Sequence, residues 1–378
     1  MDFSWNSMQE DIRKGLEEFA KRELNDNICE KYEKAEFCLD DWKKCGDYGV
    51  HGLLCPASYG GMGLDILTAA YALEGFGYGC RNGGLIFSII AHMCGCIVPI
   101  YRFGDGTQKD IYLAKLSKGE YIGAFAATEP EAGSDIFSLK TTAKKDKHCY
   151  ILNGAKTFVS NAPVADLFLV LATTDTSKGL AGLCVFLVEK GTIGLSIGRN
   201  IDKSGLRTNL TSEIFFDECI VPEENLLGSE GMGMSIFYTV MDIERICMMA
   251  PILGSMARQI EICDRYIKER RQFGQPIKDF QSISGMIAEM KLKLEASRLL
   301  LYKAAWLLKQ GKTAVKDIAM AKLYVSQSYV YSCLNAIQIH GGYGYTVEME
   351  LERELRDAIA STIYSGTSEI QKNIIAGI

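Results

Sequence analysis

The chain has few of the residues that usually build metal centres. Only four histidines occur among its 378 residues. Cysteines are more numerous, at thirteen, but the closest pair, Cys94 and Cys96, has no second pair at the spacing of a zinc site. We therefore expect no metal site, and we interpret the cysteines as buried free thiols of a protein in the reducing cytoplasm.

Positive charge and a leader segment are also lacking. The formal net charge is -6, so bulk charge gives no support for a nucleic-acid partner, and we expect none. Residues 1–10 are polar and contain no apolar segment, which predicts that no signal peptide is present. We find no apolar run that is long enough to cross a bilayer, and we expect no membrane association.

What the chain does have is apolar sequence for several cores, since 48% of its residues are hydrophobic. This content and the length predict more than one domain. Residues 1–121 are expected to form an N-terminal helical domain, because apolar residues recur there at helical spacing. The clearest examples are Ile12, Leu16, Phe19 and Leu24.

The pattern changes to strands near residue 122. From there to residue 231 the chain contains short apolar or β-branched runs, which predict a β domain. Examples are residues 167–173, 183–188 and 213–221. The dipeptide Asn153-Gly154 lies between two such runs and predicts a hairpin turn.

Helical spacing returns in residues 232–378, which we expect to form a helix bundle. One apolar helical face is especially clear. It consists of Ile283, Met286, Ile287, Met290 and Leu294.

Five sequence strings occur in a fixed order across nearly the whole chain. They are ATEPEAGSD (127–135), NGAKTFVSN (153–161), ERRQFG (269–274), QIHGG (338–342) and YSGTSEIQ (364–371). Together they resemble the acyl-CoA dehydrogenase superfamily. The resemblance implies an α+β fold with an N-terminal helical domain, a middle β domain and a C-terminal four-helix bundle, and it implies FAD as cofactor.

The resemblance also implies which residues contact the flavin. A flavin ring needs polar donors along one edge and an aromatic or apolar wall against one face. Thr128 and Ser160 match positions that bond the flavin edge, and Phe158 matches the residue that packs on the ring. Taken alone, the first two are also typical of strand ends and the third of a core. Further matched cofactor positions are Ala127, Ser134, Phe273, Gln281, Gln338, Thr367 and Glu369.

A second group of residues matches the positions that hold the FAD diphosphate of a neighbouring subunit. These are Arg270 and Gln272, and arginine suits a diphosphate because its planar fork donates two charge-assisted bonds. The Gly341-Gly342 pair lets backbone amides approach a phosphate closely. Alone, residues 269–271 are equally typical of a solvated helix end. A site shared between chains implies an oligomer, and the resemblance indicates a homotetramer.

The reaction of this family needs a base for the proton next to the thioester carbonyl, while flavin N5 takes the hydride. Many members place a glutamate directly before the Gly-Thr of the last string, where this chain has Ser365. A subset places it on the helix after the β domain, where this chain reads MDIER (241–245). We therefore predict Glu244 as the base, against the alternative of an ordinary helix glutamate paired with a basic residue. Asp242 and Arg245 match positions that bind the substrate's pantetheine arm or support the site.

The substrate is narrowed by a closer resemblance to prolyl-carrier-protein dehydrogenases and oxidases of secondary metabolism. It rests on residues 92–104, 280–283 and 363–367, and on the combination of Ser365 with Glu244. These enzymes oxidise a proline held on the phosphopantetheine of an acyl or peptidyl carrier protein, to a pyrroline or a pyrrole. Although His92 lies in one of these segments, a lone histidine on an apolar run is more often a core residue with satisfied hydrogen bonds.

Three other functions stay open at this point. The first is a short- or branched-chain acyl-CoA dehydrogenase that also uses Glu244. The second is a catalytically silent flavoprotein that acts as a binding partner, which Ser365 suggests and Glu244 argues against. The third is a flavin monooxygenase on the same fold, which Glu244 again disfavours.

Overall fold

The structure is a computed structural model that describes residues 4–377. Its first part is helical, as predicted. Helix α1 begins at a capping box, in which Asn6 and Gln9 each accept a hydrogen bond from the other's backbone N–H. The predicted apolar face of α1 is buried at Leu16 and Phe19. The helices are α1 (Ser7–Glu23), α2 (Ile28–Glu33), α3 (Leu39–Tyr48), α4 (Ile66–Gly79), α5 (Gly83–His92), α6 (Val98–Phe103) and α7 (Gly106–Ser117).

Helices α5 and α6 are joined by a π-helical stretch, Met93–Ile97, into one run from Gly83 to Phe103. This run of 21 residues is long and apolar enough to cross a membrane, so the expectation that no apolar run reaches that length was wrong. In its most apolar window, however, 83% of the residues are buried inside the protein. That burial gives the run the position of a core helix.

The middle of the chain forms a mixed sheet whose strands follow the order β6-β7-β3-β2-β4-β5-β8, with β1 parallel to β4. Its two faces are covered by different apolar clusters, one of which includes Leu169 and Leu187 and the other Phe168 and Phe186. The strands are β1 (Gly123–Ala126), β2 (Thr142–Asp146), β3 (Cys149–Ser160), β4 (Leu167–Thr173), β5 (Leu183–Glu189), β6 (Leu195–Asn200), β7 (Thr211–Pro222) and β8 (Leu226–Leu227).

The predicted hairpin at Asn153-Gly154 is wrong, because both residues lie inside β3. The pairing of β3 with β7 shifts register between Leu152 and Gly154, which marks a bulge. A Cβ on Gly154 would lie 2.6 Å from Thr141 Oγ1, so the glycine permits a close approach of two chain segments. The turn between β2 and β3 lies at Lys147, where φ is +54°.

The last part of the chain is again helical, which confirms the predicted order of helices, sheet and helices. A short β-ribbon, β9 (Arg271–Gln272) and β10 (Gln275–Pro276), follows the first long helix. The predicted face of α9 is buried at Ile287, Met290 and Leu294. The helices are α8 (Gly233–Glu269), α9 (Gln281–Lys309), α10 (Val315–His340), α11 (Leu351–Ser361) and α12 (Ser368–Ala376).

The helices before and after the sheet share one apolar core. Phe76 of α4, Ile89 of α5, Met249 of α8 and Val325 of α10 belong to the same buried cluster. Helices α4 and α8 approach so closely that a Cβ on Gly254 would lie 2.0 Å from the Glu74 carbonyl oxygen. The predicted domain boundaries at 121/122 and 231/232 fall between elements and stay predictions.

Candidate active site

Helix α8 and the loop before α12 bring Glu244 and Ser365 together. The Ser365 hydroxyl donates a hydrogen bond to Glu244 Oε1, across 121 residues of sequence. Glu244 is half-buried, and the salt bridges of residues 4–377 do not include it. The alternative of an ordinary glutamate paired with a basic residue is therefore not what the structure shows.

The serine is held by two neighbours that bond its carbonyl oxygen. Arg245 Nε donates to it at 2.9 Å, and Gln371 Nε2 donates to it at 3.3 Å and to the Gly366 carbonyl at 2.9 Å. The backbone φ is +54° at Ser365 and +91° at Gly366. Since a non-glycine residue rarely adopts a left-handed conformation, the tertiary contacts impose this loop shape.

Three influences on the pKa of Glu244 act in opposite directions. Burial raises the pKa of Glu244, while the hydrogen bond from Ser365 and the charge of Arg245 lower it, and the net shift is upward. Burial likewise raises the pKa of Asp242, one turn away from Arg245 on α8. A raised pKa is the direction expected for a carboxylate that is shielded from water.

Aromatic and aliphatic side chains lie beside this pair. The rings of Phe87 and Tyr364 meet at 60°, with their centroids 4.9 Å apart. Both rings, together with Met248 and Ile252 of α8, line a cavity of about 50 Å³. Burial raises the pKa of Tyr364, and the Glu244 carboxylate adds to the shift. Glu244 and Ser365 do not line this cavity, but Tyr364, which precedes Ser365, and Met248, one turn after Glu244 on α8, place it beside them.

The predicted flavin residues of the β domain lie on one irregular edge of the sheet. Pairing of β3 with β7 is interrupted between Lys156 and Val159, and Phe158 has φ of +54°. As a result the Phe158 side chain is 64% exposed, which excludes the core alternative. Thr128 is half-buried, and its carbonyl accepts a hydrogen bond from Thr157 N at 2.9 Å. Ser160 ends β3 and is half-buried as well.

Sequence reasoning missed an ion pair that joins the segment of Thr128 to the segment of Phe158 and Ser160. Lys156, which is fully buried, donates to Glu129 Oε1 at 2.8 Å and to the Ala127 carbonyl at 3.0 Å. Burial lowers the pKa of Lys156 to about 8, and Glu129 opposes that shift. Glu129 also accepts the backbone N–H groups of Lys140 and Thr141. Both partners belong to strings that were recognised from the sequence, and only their charge could have indicated the pair.

The predicted diphosphate residues lie in a different place, a groove of about 760 Å³ at the far end of α8. Arg270, Gln272, Phe273, Gly341 and Gly342 all line it, and Phe273 is 93% exposed. We call this surface the Arg270 groove. A Cβ on either glycine would meet nothing within 4 Å in the chain. The pair is therefore open to an approaching group from outside.

His340 is a further groove residue that the sequence did not suggest. Its Nδ1 lies 2.8 Å from the Ala336 carbonyl, which makes this nitrogen the donor. The Nε2 atom is buried and has no protein partner, and the ring lines the groove.

Five further predicted cofactor residues lie outside this groove lining. Gln281 and Gln338 are exposed near the ends of α9 and α10 that face it, and Ser134 is exposed on the loop after β1. Thr367 caps α12 by accepting the backbone N–H of Ile370 at 3.3 Å. Glu369, also predicted, is exposed in the first turn of that helix. Their roles stay predictions.

The Arg270 groove and Glu244 lie far apart within one chain. Both lie on or directly after α8, separated by 26 residues, which is about 39 Å along a continuous helix. An aromatic side chain with hydroxyl donors lies at one place, and an arginine with open glycines lies at the other. A single chain therefore holds these two sets of residues in separate regions.

Within residues 4–377 no cluster of three metal-ligating side chains occurs. The thirteen cysteines are free thiols, of which Cys29 is exposed and Cys149 half-buried. His92 is a core residue, as expected: its Nε2 donates to the Leu116 carbonyl at 2.9 Å and its Nδ1 accepts from Gly123 N at 2.8 Å.

The chain was then compared with known proteins. It is 44% identical to an L-prolyl-[peptidyl-carrier protein] dehydrogenase of Serratia sp., over 100% of this chain and 97% of the relative. The crystal structure of the prolyl acyl carrier protein oxidase AnaB superposes with a TM-score of 0.96 at 49% identity, covering 99% of each chain. PigA with FAD and proline superposes at 0.98 with 42% identity, over 100% of this chain and 98% of PigA.

Family matches extend over nearly the whole length. They are the N-terminal domain of acyl-CoA dehydrogenase at residues 6–120, its middle domain at 124–219 and its C-terminal domain at 231–377. The order of helical, sheet and helical parts in the structure agrees with these matches. The chain belongs to the acyl-CoA dehydrogenase family.

Proposed function

We propose that this protein is an FAD-dependent dehydrogenase or oxidase of a prolyl thioester carried on an acyl or peptidyl carrier protein. The observation that carries the proposal is the pairing of Glu244 with Ser365 beside a small apolar compartment. The names of the similar proteins, which act on prolyl carrier proteins, support the same substrate.

In this proposal Glu244 takes the proton from the carbon next to the thioester carbonyl. Its raised pKa brings the carboxylate nearer to the strength that proton abstraction requires. Arg245 does not bond the carboxylate and instead fixes the Ser365 loop through its carbonyl. Arg245 therefore supports the site, and a direct contact with the pantetheine arm is not needed to explain its position.

FAD, when bound, supplies the two-electron acceptor for the hydride that leaves the adjacent atom of the substrate. Thr128, Ser160 and Phe158 would hold the flavin end. Arg270 and Gln272 of a neighbouring copy would hold the diphosphate. The donor types fit both halves, and this arrangement requires an oligomer, which we take to be a homotetramer in the cytoplasm.

The carrier protein brings the substrate on a phosphopantetheine arm and has no adenosine diphosphate. Mass spectrometry of prolyl-carrier protein after aerobic incubation with the enzyme tests the proposal. Loss of about 2 Da indicates a pyrroline and about 4 Da a pyrrole, because each two-electron oxidation removes two hydrogens.

A short- or branched-chain acyl-CoA dehydrogenase is the second candidate, since it would use the same Glu244. Turnover of isovaleryl-CoA without turnover of prolyl-carrier protein would support that candidate and contradict ours. A silent flavoprotein is disfavoured by the oriented, half-buried carboxylate. Flavin that no thioester reduces would favour it.

A further inference from the structure

Position 365 has no assigned role, although within residues 4–377 its side chain is the one that hydrogen-bonds Glu244. Ser365 Oγ donates to Glu244 Oε1. Among residues 4–377 no hydrogen bond is recorded to Glu244 Oε2, so this oxygen stays available for a substrate proton. The Ser365 hydroxyl thus makes the two carboxylate oxygens different, since Oε1 is hydrogen-bonded and Oε2 is not.

We propose that Ser365 is a positioning residue that keeps Glu244 ionised and fixes its orientation towards the substrate. The proposal rests on the proposed function of Glu244 as the base. A hydroxyl that donates to a carboxylate stabilises the charged form, since the protonated form is a poorer acceptor. Without that bond, burial would favour the neutral acid, which cannot accept a proton.

The loop geometry explains how a serine can reach the base. Arg245 Nε and Gln371 Nε2 clamp the Ser365 carbonyl at 2.9 and 3.3 Å, and Gly366 continues the left-handed turn at φ +91°. Position 365 lies at φ +54°, a costly conformation for a residue with a Cβ. A glycine at position 365 would relieve this backbone strain, yet the chain has a serine there, which indicates that the side chain has a use.

Other groups near Glu244 do not supply this bond. Arg245 acts on the carboxylate through its charge and donates its Nε to the loop. Cys94, from the π-helical stretch, and Tyr364 have pKa values that are raised by burial and further by Glu244, so both stay neutral. Ser365 is therefore the hydroxyl donor on which the charge of Glu244 depends.

Three more titratable groups, Asp242, Tyr238 and Lys322, interact with Arg245 and must be separated from Glu244 in any pH experiment. Asp242 has a pKa raised by burial. Lys322 of α10 has its pKa lowered to about 8, first by burial and then by Arg245. The lysine titrates on the alkaline side, so it does not disturb the acid limb of a pH profile.

The experiment compares Ser365→Ala and Ser365→Gly with the parent holoenzyme by anaerobic flavin reduction with prolyl-carrier protein across pH. Both variants remove the donor, but only glycine also relieves the backbone. We expect the acid limb to move to higher pH in both, with rates about tenfold lower on that limb, because a hydrogen bond to a charged acceptor is lost. At higher pH the rates should return to within about threefold of the parent.

A second readout needs no substrate. Infrared spectra of the FAD-loaded protein, titrated with acid, report protonation of Glu244, and Glu244→Gln identifies its band. Ser365→Ala should protonate at higher pH than the parent, and Ser365→Cys, with its weak donor, should lie between them. If prolyl-carrier protein is not a substrate, the proposed function fails while this titration still decides the role of Ser365.

Coincident infrared titrations of Ser365→Ala and the parent would overturn the proposal. So would a rate that falls equally at all pH values with an unmoved acid limb, since that is the signature of a purely structural loss. A different result for alanine and glycine would assign the effect to the backbone and reject the hydroxyl.

Discussion

The Arg270 groove and the surroundings of Glu244, which we call the Glu244 pocket, lie at two places along α8. They differ in how many of their side chains are already bonded within one chain. In the pocket, Glu244, Ser365, Arg245 and Gln371 already form a connected set of bonds within one chain. In the groove, Phe273 is almost fully exposed and His340 has an unpaired nitrogen. A site that carries out chemistry needs its side chains to be oriented in advance. In the proposed function the open groove receives the cofactor of a neighbouring copy.

The difference predicts that mutations in the pocket change chemistry and those in the groove change assembly and cofactor retention. The Lys156–Glu129 pair differs from both places. Like the Glu244 pocket, it is completed by bonds within one chain, but it joins two segments that contain predicted cofactor residues. Variants at these places test whether the division holds.

The largest effect is expected from Glu244→Gln. The amide keeps the size of the side chain but cannot take a proton, so anaerobic flavin reduction should fall by about 10²–10⁴-fold. FAD content and oligomeric state should be unchanged. Glu261→Gln, an exposed position on the same helix, is the control and should reduce its flavin at the parent rate. Flavin reduction in Glu244→Gln at the parent rate would contradict the assignment of Glu244 as the base.

Breaking the buried pair with Lys156→Met should come next. It leaves Glu129 buried without its cation, which destabilises a protein by about 3–5 kcal/mol. Denaturant unfolding of the holoprotein at fixed concentration measures the loss, and adding Glu129→Gln should restore part of it. Lys140→Met removes an exposed salt bridge to Glu131 and should cause no measurable loss. If the two lysine changes reduced the free energy of unfolding equally, burial would not explain the contribution of the Lys156–Glu129 pair to stability.

Charge reversal in the groove, Arg270→Glu, should act on the cofactor instead. Replacing a charge-assisted donor with a like charge should weaken FAD binding by about 10–100-fold and promote dissociation of the oligomer. Flavin fluorescence and sizing at several dilutions measure both. Lys268→Glu, two residues earlier on α8, is the matched control. A monomer of Arg270→Glu that keeps its FAD would contradict the shared site.

Taken per histidine and per pH unit, the smallest effect should come from acid. Burial lowers the pKa of His51 to about 3 and that of His92 to about 4. The unfolded chain takes up these protons near pH 6.5 and the folded chain does not, so stability is full above that pH and falls below it. Each histidine should cost about 1.4 kcal/mol per pH unit between pH 6 and 4.

Unfolding midpoints at several pH values measure this slope. His92→Gln should reduce it, while exposed His148→Gln should leave it unchanged. A slope that persists in His92→Gln would assign the acid sensitivity to other groups.

Much of the fold could be predicted from sequence, because periodicity and the five strings are local. Residues 167–173 and 183–188 became β4 and most of β5, and the apolar face of α9 is buried as expected. Asn153-Gly154 misled because a glycine required by a bulge and a close contact has the same local pattern as a turn. The apolar run Gly83–Phe103 misled in the opposite direction, since composition does not say what surrounds a helix.

The sequence by itself determined the family, the order of helices and sheet, and Glu244 as the candidate base, because each follows from residues in fixed strings. Tertiary structure alone decided that Ser365 bonds Glu244, that Lys156 bonds Glu129, and that a continuous helix separates Arg270 from Glu244. These are contacts or separations between residues 26 to 121 positions apart. They depend on how the helices and the sheet pack, and no local pattern of side chains records that packing.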